Sequence, residues 1–117
     1  MIKKKIVCFD LDNVLCKTNR NKYRESKPIK KNIKIVNKLF DKGFYIKIFT
    51  ARYMGRNKDN VAKAKRQGYG FTKLQLKKWK ISYNKLIFGK PSFDIYIDDK
   101  SFFYDKNWPK KIEKKFL

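Results

Sequence analysis

The chain contains no histidine and only two cysteines, Cys8 and Cys16. Two cysteines cannot make a disulfide framework, and without histidine or a second cysteine pair no zinc site is completed. A reduced, cytoplasmic setting is the expectation. Long apolar runs are missing too. None approaches the ~20 residues of a membrane-spanning helix, so no membrane span is expected. The start, Met1-Ile2-Lys3-Lys4-Lys5, is basic, but the apolar stretch behind it is short and broken by Asp10 and Asp12. That is not the pattern of a signal peptide. No internal repeat or linker divides the chain, so residues 1–117 are expected to form one domain.

Acidic residues are also scarce. Ten Asp and Glu stand against 32 Lys and Arg, a net charge of +22. Such a balance suits a polyanion partner. Most of the excess is lysine, however, spread along the chain and accompanied by abundant Ile and Asn, as AT-rich coding DNA produces. Nucleic acid is left open as a partner but is not favoured. The field favours anionic substrates in either case. Hydrophobic residues make up 42% of the chain and aromatics 16%, enough for a folded core and not a disordered segment.

What is present is organised around Ile6-Val7-Cys8-Phe9-Asp10-Leu11-Asp12-Asn13-Val14-Leu15. Ile6 to Phe9 is a short apolar run that reads as a buried strand. Asp10 does not belong in a strand interior, so the two acids mark the strand's carboxyl end, where open α/β sheets bind ligands. Carboxylates this close repel unless a cation or shared proton holds them. Mg²⁺, a hard ion that prefers oxygen, is the natural candidate. An ordinary acidic turn is the plain alternative.

Lys17 to Lys27 reads as a polar loop. Pro28 suits a helix's first turn. Ile29, Ile33, Val36, Leu39 and Phe40 then share one helical face, and Gly43 closes the helix. Phe44 to Phe49 is the second strand, ending at Thr50-Ala51-Arg52. Strand, helix, strand makes a right-handed unit with a parallel pair, which puts Thr50 at the same sheet end as Asp10. Asn60 to Gln67 is expected to be helical, broken by Gly68-Tyr69-Gly70. Thr72-Lys73-Leu74-Gln75 matches a capping box that opens a second short helix through Trp79. Leu86 to Phe88 reads as a brief strand or edge piece, and Ile95 to Ile97 as a further strand stopping at Asp98-Asp99. The aromatic tail, with Phe102, Phe103, Tyr104 and Trp108, is expected to dock on the body. The fold class is α/β: a single Rossmann-like domain, a small, mainly parallel sheet flanked by helices, with no cap domain.

Asp10 with Asp12, Thr50, Lys90, and Asp98 with Asp99 all stand at strand ends. Carboxylates can hold Mg²⁺, while a hydroxyl, an amine and loop amides can surround phosphate oxygens. One carboxylate is left to attack phosphorus. Each residue has a structural alternative. Thr50 could cap its loop, Asp98-Asp99 could be a helix N-cap pair, and Lys90 is one lysine among many. Arg52 reaches either a substrate or only its own loop. Tyr23, Arg24 and Lys27 could contact a leaving group or sit in a solvated loop.

The ordered set Phe9-Asp10-Leu11-Asp12-Asn13-Val14, Phe49-Thr50-Ala51-Arg52, Lys90 and Ile97-Asp98-Asp99 resembles the haloacid dehalogenase superfamily of phosphatases. With Lys27-Pro28-Ile29 and Phe88-Gly89-Lys90-Pro91 added, it is similar to the small capsule-biosynthesis phosphatases of that superfamily, up to about Lys100. The resemblance implies that Asp10 is the nucleophile and Asp12 the general acid and base. It implies Mg²⁺ held by Asp10, Asp98 and the Asp12 carbonyl, with Asp99 ligating or orienting waters. Thr50, the Ala51 amide and Lys90 would hold the phosphate. Two departures stand out. Asn13 occupies a position where Gly is commoner, and the Gly89 to Asp94 connector is too short for a parallel crossover.

The room after each strand admits no cap, so specificity is expected from nearby loops or a partner subunit, which leaves oligomerisation open. The expected activity is Mg²⁺-dependent phosphomonoester hydrolysis through an aspartyl phosphate. The expected substrate is a small phosphorylated molecule, a sugar phosphate of surface-polysaccharide synthesis. A nucleotide or nucleic-acid-end phosphatase and a degenerate phosphate- or protein-binding module are the alternatives.

Overall fold

In a computed structural model, residues 5–117 are described. The basic start read above, Met1 to Lys4, lies outside the described residues. Three parallel strands form the sheet: β1 (Ile6–Phe9), β4 (Tyr45–Thr50) and β5 (Lys85–Phe88), in the order β1-β4-β5. Register pairs Phe9 with Ile48 and Thr50 with Phe88, so the carboxyl ends of all three strands lie at one sheet edge, with β1 stopping two residues short of β4. The central strand alternates strictly, with Ile46, Ile48 and Thr50 fully buried on one face, as the two-residue period of a strand requires.

Helix α1 (Lys30–Asp41) joins β1 to β4 and buries Ile33, Ile35, Val36 and Leu39. Pro28 does not enter it. It lies in β3 (Lys27–Pro28), which pairs antiparallel with β2 (Cys16–Lys17). The segment expected as an irregular loop is therefore a small ribbon with a 3₁₀ turn at Tyr23–Glu25. α1 ends in a Schellman motif. Gly43 has φ +93, its N–H donates to Phe40, and the N–H of Phe44 donates to Leu39.

Helix α2 (Val61–Lys78) joins β4 to β5 and is one continuous helix, not two. Asn60 caps it by accepting from the Lys63 amide. Gly68 does not break it, because here the glycine serves a close approach. A Cβ on Gly68 would lie 2.2 Å from Cε2 of the Tyr53 ring. That ring is itself packed against Tyr23, with centroids 4.9 Å apart. Gly68→Ala is therefore expected to destabilise the protein despite the ~1 kcal/mol that alanine gains in a helix. Overpacking of a core costs ~1–3 kcal/mol and wins where the ring cannot move aside. A thermal or urea unfolding comparison checks this. A more stable alanine variant would show that Tyr53 yields freely.

Ile95-Tyr96-Ile97 is not a strand. Ile95 is 79% exposed and Ile97 94%. The connector explains it. A parallel strand beside β1 would have to cross the sheet, three spacings or roughly 14 Å, and return to its far end. Gly89 to Asp94 cannot do both, since such crossovers need about a dozen residues. The outer edge of β1 is left unpaired by the sheet, and Ile6 there is exposed. Helix α3 (Trp108–Phe116) docks as the tail was expected to, setting Trp108 against Phe9 and Phe116 against Phe44. Phe102, Phe103 and Tyr104 remain exposed. No helix among the described residues is long and apolar enough to cross a membrane.

Candidate active site

The carboxyl ends of β1, β4 and β5 deliver Asp10, Ala51 and Gly89-Lys90 to one edge. Gly89, at φ +109, makes the turn that Lys90 needs, and the Lys90 amide donates to the Thr50 carbonyl at 3.2 Å. Lys90 Nζ then stands 3.6 Å from Asp10 Oδ2. Asp10 Oδ1 accepts the Leu11 amide at 2.8 Å. Burial pushes the Asp10 carboxyl above its ordinary pKa, and the Lys90 ammonium opposes that shift. The structure thus joins Asp10 to Lys90, the residue whose connector looked least favourable in sequence.

Asp12 goes elsewhere. The Arg52 guanidinium is fully buried and grips its carboxylate, Nε to Oδ2 at 3.0 Å and Nη2 to Oδ1 at 3.0 Å. Nη1 donates to Gln75 Oε1 at 2.6 Å and to the Thr72 hydroxyl at 3.2 Å. The Tyr23 ring faces the guanidinium at 4.9 Å. Thr18 donates its hydroxyl to Asp12, and Ser26 bonds Thr18 in turn. Arg52 is therefore an internal strut, its side chain closed to solvent. All its donors face protein, as a buried guanidinium requires. Tyr23 is core, and Arg24 lies over Phe71. Lys27 is exposed on β3, and the described contacts do not bring it to Asp10.

Thr50 is fully buried, and its hydroxyl accepts the Arg52 amide at 3.1 Å, the loop-capping role. Ala51 beside it is half-buried. Asn13 takes φ 66, a left-handed conformation that Asn tolerates better than most residues, so the replacement of Gly is accommodated. Asp98 and Asp99 are exposed, in the segment that does not become a strand. Asp98 Oδ1 accepts the Lys100 amide, which lowers its pKa. Among the described residues no three acids or thiols gather into a set that could hold a metal ion. The gathering of first-strand and last-strand acids around Mg²⁺ does not fit this arrangement, because the expected fourth strand that would carry Asp98 is not formed.

Two features escaped the sequence reading. One is the polar network around Arg52. Its signal was present as Thr72-x-x-Gln75, since a spacing of three aligns side chains on one helical face as readily as it caps a helix. The other is an aromatic pair beside Lys90. Phe93 and Tyr96 stack with centroids 5.0 Å apart, and Lys90 Nζ lies 5.4 and 5.3 Å from their centres.

No protein-family model matches the chain, and no curated protein matches it. Among solved structures it is similar to the crystal structure of a structural-genomics target from Vibrio cholerae, at 27% identity and a TM-score of 0.78. That match spans 95% of this chain and 98% of the other.

Proposed function

We propose that this chain hydrolyses phosphate monoesters with Asp10 as the nucleophile. The observation that supports the reading best is the Asp10–Lys90 pair at the carboxyl edge of a parallel sheet. A half-buried carboxylate next to an ammonium suits attack on an anionic centre. An Asp10 oxygen bonds to phosphorus as the ester oxygen departs. Water then attacks phosphorus, and the bond to Asp10 breaks to release phosphate. Lys90 offsets the negative charge throughout. Asp12 is the proposed proton carrier, following the haloacid dehalogenase resemblance, and it acts only by giving up an Arg52 contact.

By that same resemblance the proposed substrate is a small sugar phosphate, and the proposed setting is the cytoplasm. The aromatic pair beside Lys90 favours a second reading, a nucleotide. Phosphate release from a panel of sugar phosphates, nucleotides and oligonucleotides with terminal phosphates, with and without Mg²⁺, tests the proposal. Release from at least one ester is the expected outcome. Silence across the panel in both conditions would leave a non-catalytic binding module as the better description.

A further inference from the structure

The segment after β5 is tied to the body at two points. Ser92 bonds Asp59 through its amide at 3.2 Å and its hydroxyl at 2.9 Å. The Tyr104 hydroxyl donates to the Asn13 carbonyl at 2.8 Å, immediately past Asp12. Between these ties lie Phe93 and Tyr96, 45% and 47% exposed. Both face the ammonium of Lys90, which also meets Asp10. One lysine thus links the acid that would meet phosphorus to a two-ring surface open to solvent.

We infer that Phe93 and Tyr96 form the leaving-group subsite, and that it takes the base of a nucleoside monophosphate whose phosphate sits at Lys90. Two features favour a base over an open-chain or polyol leaving group. Stacking on exposed rings rewards a flat π-face and tolerates any base. Lys90, already facing both rings, gives the electropositive contact that a phosphate next to a stacked base needs. The inference rests on the phosphatase reading for its chemistry and takes the second of the two substrates proposed above, the nucleotide, over the sugar phosphate, but the binding it describes does not need turnover.

The test compares adenosine monophosphate with ribose 5-phosphate, which carries the same phosphoribose without the base. For the wild-type chain we expect kcat/KM for the nucleotide to exceed that for the sugar phosphate by about tenfold, the scale of one base stack. In the Phe93→Ala/Tyr96→Ala double variant the ratio falls to within about twofold. Phe93→Tyr/Tyr96→Phe restores it, which a merely structural role for alanine-sensitive positions would not separate by substrate. Equilibrium titration of both compounds into the Asp10→Asn protein reads the subsite without hydrolysis. A tenfold binding preference with no phosphate release from any ester upholds the subsite and ends the phosphatase reading. Hydrolysis with a ratio near one, or a ratio unchanged by the double variant, overturns the subsite and leaves the phosphatase reading standing. No binding of either compound overturns the subsite.

Discussion

Asp10→Asn is expected to cut turnover roughly a thousandfold or more, the scale on which losing a covalent nucleophile acts. The amide keeps the shape and can still accept the Leu11 N–H, so the local turn survives. What disappears is the charge facing Lys90. That pair is 3.6 Å apart and the Asp10 side chain is 37% exposed, so its stability contribution is small. The melting temperature should therefore move by no more than about 5 °C. Full activity in the asparagine protein would remove Asp10 from the chemistry. A pH profile adds a second reading. The carboxylate form is the attacking one, so kcat/KM should fall as pH drops through the Asp10 pKa. Burial has already raised that pKa, and Lys90 holds it down. Lys90→Met removes the opposing charge, so the acid limb should move to higher pH. An unmoved limb would mean that Lys90 does not act on Asp10.

How much of this was legible in the residues varies from element to element. The two strands were, because Ile6 to Phe9 and Tyr45 to Thr50 are short, largely apolar runs, but the burial expected of the first was not, since β1 lies at the sheet's edge, where Ile6 and Cys8 are exposed and only Phe9 is buried. The α1 boundary was, because Gly43 is needed at φ +93. Gly68 misled for an instructive reason. Glycine in a helix reads as a break when the neighbour that requires it, Tyr53, is fifteen positions away in the chain and invisible to local pattern. Ile95 to Ile97 misled in the opposite sense. Its β-branched alternation is a genuine strand signal, overruled by a connector too short to carry it across the sheet. Within the site, strand-end phase placed Asp10 and Thr50 at one edge, whereas Lys90 rested on the resemblance and on Gly89 and Pro91 beside it, and its approach to Asp10 became visible only in the fold. The fate of Asp12 was not legible either, since two acids one residue apart carry no mark of which will be claimed by a distant arginine.

That arginine sets the second large effect. Arg52→Met is expected to destabilise the fold by about 3–5 kcal/mol, because it strips a partly buried carboxylate of its partner. Asp12 keeps some solvent access, at 20% side-chain exposure, so the lower end of that range is the better figure. Even ~3 kcal/mol is a large share of the 5–15 kcal/mol that holds a domain of this size together, and it corresponds to a fall of roughly 10–20 °C in melting temperature. The loss is not Asp12's alone. Gln75 Oε1 and the Thr72 hydroxyl lose the same donor inside the protein, and each buried acceptor left without one adds to the cost. Arg52→Lys should fall between, since one ammonium cannot reach Asp12, Thr72 and Gln75 together as a planar fork does. Removing the carboxylate as well separates the two contributions. In Arg52→Met/Asp12→Asn the uncompensated charge is gone, so part of the stability should return, and the double-mutant cycle should show strong coupling between the two positions. A change below about 1 kcal/mol in Arg52→Met, or purely additive behaviour in the cycle, would mean that the guanidinium does not hold Asp12 in solution. The acid would then be free to turn toward Asp10, and its part in proton transfer would no longer be limited by Arg52.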